Sequence, residues 1–409
     1  MNRGEKMKSI KKGFLRVIIV MIGLISIVWM ALIVFLMVFL LDMILSFHSA
    51  DLHFLENVEL SEIHADADAA YYLSEDGTLY CSGANSDAGA YVVYQDKKQG
   101  IVAENVVSFG IMSYGGYYID RNNNLYIYNE SNISFYGYKR DRHKLIVENV
   151  ISAQVSPERI MYIDTNHDLY YASSEHAYLC FGGKNPNSLE RPLKIASGVS
   201  RIIYESSNSE FLVYLDLEGK IQIFGVTDKE ELSYVSDLIY LEDMLYFKEQ
   251  FQDFEIQEIS SFGKRNRLVL LKNGELWFYG DYQRFIEGSD EKKSEKELHL
   301  LCENVCAISD SNDVFGALDA ENRFFVWGEC WENDGESPDK TKPVYVEKRL
   351  ISDQAKSIHL GAATIGYVDI NGSSHIYHSG GYDSFYGNST KDRCVGLNRE
   401  PVTWVEKKK

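Results

Sequence analysis

The sequence predicts an all-β fold, a seven-bladed β-propeller preceded by a single transmembrane α-helix, and three observations predict it. Near the N-terminus lies a 25-residue stretch without a charge, and further on a turn between two apolar strands recurs seven times. The composition is the third: 28 Tyr, 20 Phe and 5 Trp against only 6 Pro in 409 residues, a balance that favours strands.

The uncharged stretch runs from Val17 to Leu41. At about 1.5 Å per helical residue it spans a hydrocarbon core of ~30 Å. Six basic residues precede it (Arg3, Lys6, Lys8, Lys11, Lys12 and Arg16), whereas Asp42, Asp51, Glu56 and Glu59 follow it. The positive-inside rule then places the N-terminus in the cytoplasm and the repeats outside. A cleavable signal peptide competes with this reading, but its apolar core is ~7 to 15 residues long and ends in an A-x-A-like site. Ser49-Ala50 matches that site poorly, so an uncleaved anchor is expected. The organisation that follows is a cytoplasmic basic tail at 1–16, the helix at 17–41, a linker at 42–54, the propeller at 55–406 and a tail at 407–409.

Four copies of Glu-Asn-Val begin at Glu56, Glu104, Glu148 and Glu303, each followed about twenty residues later by a hairpin. Aligned on one turn position, the seven hairpins carry Gly77, Asn123, His167, Gly219, Gly274, Asn322 and Gly372, at spacings of 46, 44, 52, 55, 48 and 50. Each occupant is glycine or a residue type enriched at positive φ, as type I′ hairpin turns require. A unit of three or four short strands cannot bury both faces alone, so the units must pack on one another. Radial packing of such units of ~40 to 50 residues is the propeller pattern.

Short strands at Arg191–Ile195 and Lys342–Val346 precede later repeats, and none precedes the first. The tail Glu400–Glu406 has the missing pattern and is expected to join N-terminal strands and lock the ring. Two stretches break the period. Residues 228–258 place Tyr234, Leu238, Leu241 and Leu245 at helical spacing, either a short rim helix or an outer strand with an insertion. Residues 281–299 are charged and aperiodic, as in a solvated loop.

Formal charge is −19, and beyond residue 50 there are 35 basic and 58 acidic residues, a net −23. Such a surface repels phosphate backbones, which excludes nucleic acid as a partner. Cys81, Cys180, Cys302, Cys306, Cys330 and Cys394 are scattered and read as buried small hydrophobes, with Cys302 and Cys306 on one face of a strand and a disulfide between them left open. Walker, dinucleotide-binding, GxSxG and HExxH motifs are all absent. Asp164-Thr-Asn166-His-Asp168 and Asp120-Arg-Asn122-Asn-Asn124 look like calcium loops but lack the distal Glu, and turn formation explains them. His375 and His378 read as ordinary strand residues. The sequence therefore assigns no catalytic, cofactor-binding or metal-binding residue and expects no cofactor. Tyr71-Tyr72, Tyr117-Tyr118 and Tyr170-Tyr171 put at least one ring of each pair between blades, with the other free for core or ligand.

The repeats resemble the regulator-of-chromosome-condensation family, whose blades run from an apolar strand through a Gly-containing turn and a Leu to Trp-Gly. Gly316–Gly328, ending Trp327-Gly328, is the best copy; Tyr71–Asn85 and Leu270–Gly280 follow it, and the likeness covers about residues 55–406. The Gly-rich ends of the repeats are mostly lost, with remnants at Ser379–Gly381 and Ser384–Gly387. The resemblance implies a propeller used for protein recognition. The expected function is a membrane-anchored, extracytoplasmic, non-catalytic scaffold binding a protein or an envelope polymer. The alternative is a propeller lyase or hydrolase acting on an envelope polymer, with residues gathered at the channel mouth.

Overall fold

The computed structural model describes residues 58–65, 69–83, 101–112, 115–128, 143–156, 159–173, 192–205, 211–225, 235–262, 266–280, 297–311, 314–333, 341–361, 364–378 and 402–403. The expected anchor at 17–41, with its tail and linker, lies outside them, as does the 407–409 tail. Among the described residues no helix is long and apolar enough to cross a membrane.

The strands form seven antiparallel sheets taken up in chain order. Blade 1 holds β1 (Leu60–Ala65), β2 (Ala69–Ser74), β3 (Leu79–Gly83) and β4 (Ile101–Ala103). Blade 2 holds β5 (Val106–Met112), β6 (Gly115–Asp120), β7 (Leu125–Tyr128) and β8 (His143–Val147). Blade 3 holds β9 (Val150–Val155), β10 (Arg159–Asp164), β11 (Asp168–Ser173) and β12 (Leu193–Ser197). Among the described residues blade 4 holds three strands, β13 (Val199–Glu205), β14 (Phe211–Asp216) and β15 (Ile221–Gly225), followed by helix α1 (Val235–Gln250). Blade 5 holds β16 (Ile256–Phe262), β17 (Asn266–Leu271), β18 (Leu276–Gly280) and β19 (Glu297–Cys302). Blade 6 holds β20 (Val305–Ser311), β21 (Val314–Asp319), β22 (Phe324–Asn333) and β23 (Thr341–Ser352). Blade 7 holds β24 (Ala355–Gly361), β25 (Thr364–Asp369), β26 (Ser374–His378) and β27 (Val402–Thr403). The first strand of each blade lies innermost, where β9 touches β5 and β13, and β24 touches β20 and β1.

All seven aligned turn residues have positive φ, from 62° at Asn123 and His167 to 90° at Gly77. The turn type differs from the type I′ expectation, which requires positive φ at two successive residues. Here Asn123 N–H donates to Asp120 C=O at 2.9 Å and Asp120 N–H to Asn124 C=O at 3.0 Å, a tight turn closed by one left-handed residue. That single residue also turns its carbonyl to the next blade. Gly77 O accepts from Val106 N, Asn123 O from Val150 N, His167 O from Val199 N, Gly219 O from Ile256 N, Gly274 O from Val305 N and Asn322 O from Ala355 N, all within 2.7–3.0 Å. The seventh bond, from Leu60 N to Gly372 O at 3.1 Å, closes the ring.

Closure therefore differs from the expectation for the tail. β27 pairs with β26, Thr403 opposite His375, so the described part of the tail completes the outside of blade 7, and among the described residues no strand is exchanged with the N-terminal blade. The strands at 191–195 and 342–346 that suggested otherwise belong to β12 and β23, the outer strands of the blades before them. Blade 7 meets blade 1 through a core of Leu60, Ile63, Tyr72, Val368 and Ile376, and through the Lys356–Glu75 ion pair. Similar aromatic-rich cores join the other blades, as where Phe315 stacks on Trp327 at 5.1 Å between blades 5 and 6.

Helix α1 resolves the reading left open for residues 228–258. Its buried face is Tyr240, Leu241, Met244 and Phe247, continued by Phe251, whereas Leu245 faces outward. The face is rotated from the Leu238–Leu245 stripe because two acidic residues turn inward to partners in other strands. Asp243 pairs with Arg267 at 3.2 Å, both almost fully buried, and Tyr204 Oη donates to Asp237 at 2.8 Å. Of the expected loop at 281–299, residues 297–299 instead open β19, and the rest lies outside the described residues.

Candidate functional site

The seven turns and the connections between blades share one end of the ring, because each turn carbonyl is bonded to the start of the next inner strand. This end is the turn face. Five blades build the turn from the same carboxylate. Asp120, Asp164, Asp216, Asp319 and Asp369 each accept two backbone N–H groups through Oδ1, as from Glu218 at 3.1 Å and Lys220 at 2.8 Å. Ser74 and Asn273 serve blades 1 and 5. The supposed calcium oxygens of Asp120 and Asp164 are thus engaged in turns, and among the described residues no group of three or more His, Cys, Asp or Glu could hold a metal ion.

Each inner strand begins with a buried residue and a register shift, which bends the strand and pushes its second residue out. Val107 and Ile151 stand at that position and are 50% and 38% exposed. Leu217 and Ile370, beside the turn carboxylates of blades 4 and 7, are 47% and 51% exposed. These apolar side chains lie on the turn face. In blades 1, 4 and 6 the outward residue is Ser61, Ser200 or Cys306, and its hydroxyl or thiol donates to a second-strand carbonyl. Cys302 and Cys306, expected on one strand, lie in β19 and β20 on either side of Asn304 (φ 62°), and both are free thiols. Cys81 and Cys330 are buried, as expected; Cys180 and Cys394 lie outside the described residues.

Deeper in the ring the inner strands are tied to one another. Gln154 Nε2 donates to Ile202 O at 3.3 Å, Arg201 pairs with Glu258 at 3.0 Å, and Ser260 Oγ donates to Asp310. His359 stacks on His64 at 4.5 Å, and His64 meets Glu62 at 2.7 Å. Burial pushes the Asp310 carboxyl up to about 7; repulsion from Glu258 adds to the rise and Arg267 opposes it. Burial likewise raises Glu258, against the pull of Arg201. Each carboxylate has its own partner, Arg201 for Glu258 and Ser260 for Asp310. No spacing in the sequence joins residues 258 and 310; only the repeat phase could have paired them.

A pocket of about 510 Å³ opens between blades 2 and 3, lined among others by Glu148, Asn149, Tyr162, Asp164, Asn166 and Tyr170. Tyr162 and Tyr170 stack across β10 and β11 at 5.1 Å. The same cross-strand position holds Tyr118–Tyr126, stacked at 5.0 Å, and Tyr367–His375, stacked at 4.6 Å. Among the adjacent tyrosine pairs, Tyr71, Tyr72 and Tyr171 are fully buried and Tyr118 nearly so. His375 is bonded to Asp369 Oδ2 at 3.1 Å within its own turn, the role of an ordinary strand residue; the side chain of His378 lies outside the described ones.

No family model matches the sequence, and no curated protein matches it. Among solved structures, the chain is similar to Prp20p from Saccharomyces cerevisiae, with 14% identity over 87% of this chain and 90% of that one and a TM-score of 0.50. It is also similar to the ectodomain of the Arabidopsis thaliana receptor kinase ACR4, with 11% identity over 80% and 98% of the two chains and a TM-score of 0.44. At 14% identity the likeness to Prp20p is one of fold, and it agrees with the seven sheets: the chain is a β-propeller of the kind its repeats predicted.

Proposed function

We propose that this chain is a membrane-anchored, extracytoplasmic propeller whose turn face is a non-catalytic platform for a protein partner. One observation carries the reading: the repeated polar groups hold the ring together, leaving a preformed turn face with exposed apolar side chains beside a pocket. A preorganised surface loses little conformational entropy on binding. Prp20p has binding properties to Gsp1p and histones, and protein binding is the property carried over here. The uncharged stretch at 17–41 supplies the anchor and the charge asymmetry around it the orientation. Affinity capture from an envelope extract with the full-length chain in nonionic detergent tests the platform. A partner recovered with wild type and lost with Ile151→Asp supports it; equal recovery with both, or none with either, counts against it. Alkaline carbonate extraction tests the anchor, since an anchored chain stays with the membrane pellet.

Asp310, bonded by Ser260 of the neighbouring blade and carrying a carboxyl pushed up to about 7 by burial, favours a second reading, an enzyme with acid–base chemistry inside the ring. Turnover of an envelope polymer lost in Asp310→Asn, with the fold intact, supports it; polymer left uncleaved by the wild-type chain sets it aside.

A further inference from the structure

We propose that the pocket between blades 2 and 3 is a subsite for an arginine side chain of the partner, an inference that rests on the platform reading. The cavity, at about 510 Å³, falls within the usual range of ligand pockets. Tyr162 lines it, is only 6% exposed, and its hydroxyl has no hydrogen-bond partner among the described residues. The Tyr162 ring is buried while its hydroxyl keeps access to solvent at the pocket, where a donor or acceptor from outside can reach it. Its ring stacks with Tyr170, giving an aromatic surface of the kind a planar cation packs against.

The other blades show what sets this one apart. In blade 4 the third-strand residue Gln222 donates to the second oxygen of the turn carboxylate, Asp216 Oδ2, at 2.7 Å. His375 takes the same oxygen in blade 7 at 3.1 Å, and Arg323 that of Asp319 at 2.7 Å. In blades 2 and 3 the third-strand residue is a tyrosine, Tyr126 or Tyr170; Asp120 Oδ2 is met instead by Asn124 Nδ2 at 3.2 Å, whereas among the described residues Asp164 Oδ2 is met only by Asn166 Nδ2, at 3.4 Å. Glu148 adds a second, exposed carboxylate to the lining. Lys194, opposite Tyr170 in β12, is held first by Asp168 at 2.5 Å, and its charge also reaches Asp164 and Tyr170, so it offsets part of the pocket's negative charge and leaves Glu148 as the carboxylate open to a second cation. A guanidinium meets all three features: it stacks flat on tyrosine, donates to two carboxylates at once, and is drawn by a surface of net −23. An ammonium carries the charge without the plane.

Fluorescence polarisation with a labelled Gly-Ser-Arg-Ser-Gly peptide, its citrulline counterpart and the full-length chain in nonionic detergent at low salt tests this. The arginine peptide is expected to bind about tenfold more tightly than citrulline. Glu148→Gln and Tyr170→Ala are each expected to weaken it about fivefold, whereas Glu218→Gln, the same charge loss on the turn of blade 4, leaves it unchanged. Equal binding of the two peptides overturns the proposal, as does an equal effect of Glu218→Gln, which marks bulk attraction, or displacement of the arginine peptide by maltotetraose. Should Tyr170→Ala unfold, the exposed Glu148→Gln decides alone. Partner capture undiminished by Glu148→Gln overturns the subsite and leaves the platform standing. An arginine preference without any captured partner supports the subsite and removes the platform.

Discussion

At the scale of single residues, one position in each repeat has two tasks. The residue at Gly219 turns the chain at φ 73° and gives its carbonyl to Ile256, and a Cβ added there meets that residue's own carbonyl oxygen at 2.6 Å. Gly219→Ala is expected to cost about 1–2 kcal/mol from conformation alone, and more from the contact, read as a lower urea midpoint. Asp216 beside it accepts two N–H groups and the Gln222 amide, so Asp216→Ala is expected to cost about 1–3 kcal/mol by the same measurement. Asp310 acts in the opposite sense. Its folded carboxyl holds a proton up to about 7, against 3.8 ordinarily, so between those values the folded chain binds more protons than the unfolded one. Its contribution to stability is present below about 3.8, falls as pH rises, and is gone above about 7. Asp310→Asn is therefore expected to be more stable relative to wild type at pH 8 than at pH 4, measured as the difference in urea midpoints; a constant difference would contradict the assignment.

At the scale of elements, a sheet and a helix compete for the outside of blade 4, and α1 occupies it. The helix is anchored by Phe247, fully buried, so Phe247→Ala is expected to cost about 3–5 kcal/mol in chemical denaturation. The turn signal made the hairpins legible, since a left-handed residue at a fixed phase leaves few alternatives. The helix face was less so: apolar spacing alone does not turn Asp237 and Asp243 inward, and it is Tyr204 and Arg267, from other strands, that meet them there. The tail strand is a further case. Among the described residues Val402–Thr403 pairs with the edge of blade 7, whereas Ile63, fully buried, lies in the core between blades 7 and 1. Removing residues 400–409 is expected to lower the melting temperature less than Ile63→Ala, which leaves a cavity worth about 2–5 kcal/mol.

At the scale of the whole molecule, the ring is held by contacts between neighbouring blades, including seven equivalent turn-to-strand bonds, one of them across the seam between the last blade and the first. Its number of blades and the place of every turn were legible in the sequence, because positive φ and apolar alternation are local demands that act on each repeat separately. The candidate sites were not. Glu258 and Asp310 stand in different repeats, and Tyr162 and Tyr170 form a pocket lining only beside Glu148 of the preceding connection. Which blade leaves its turn carboxylate open depends on the neighbour that fills it, Asn124, Gln222, Arg323 or His375 elsewhere, and in blade 3 only Asn166 at 3.4 Å. The sequence by itself thus determined the repeating unit and its count. Only the tertiary structure decided how the ring closes, which way α1 faces and where charges meet, because those depend on pairs of residues that the chain brings together from different repeats.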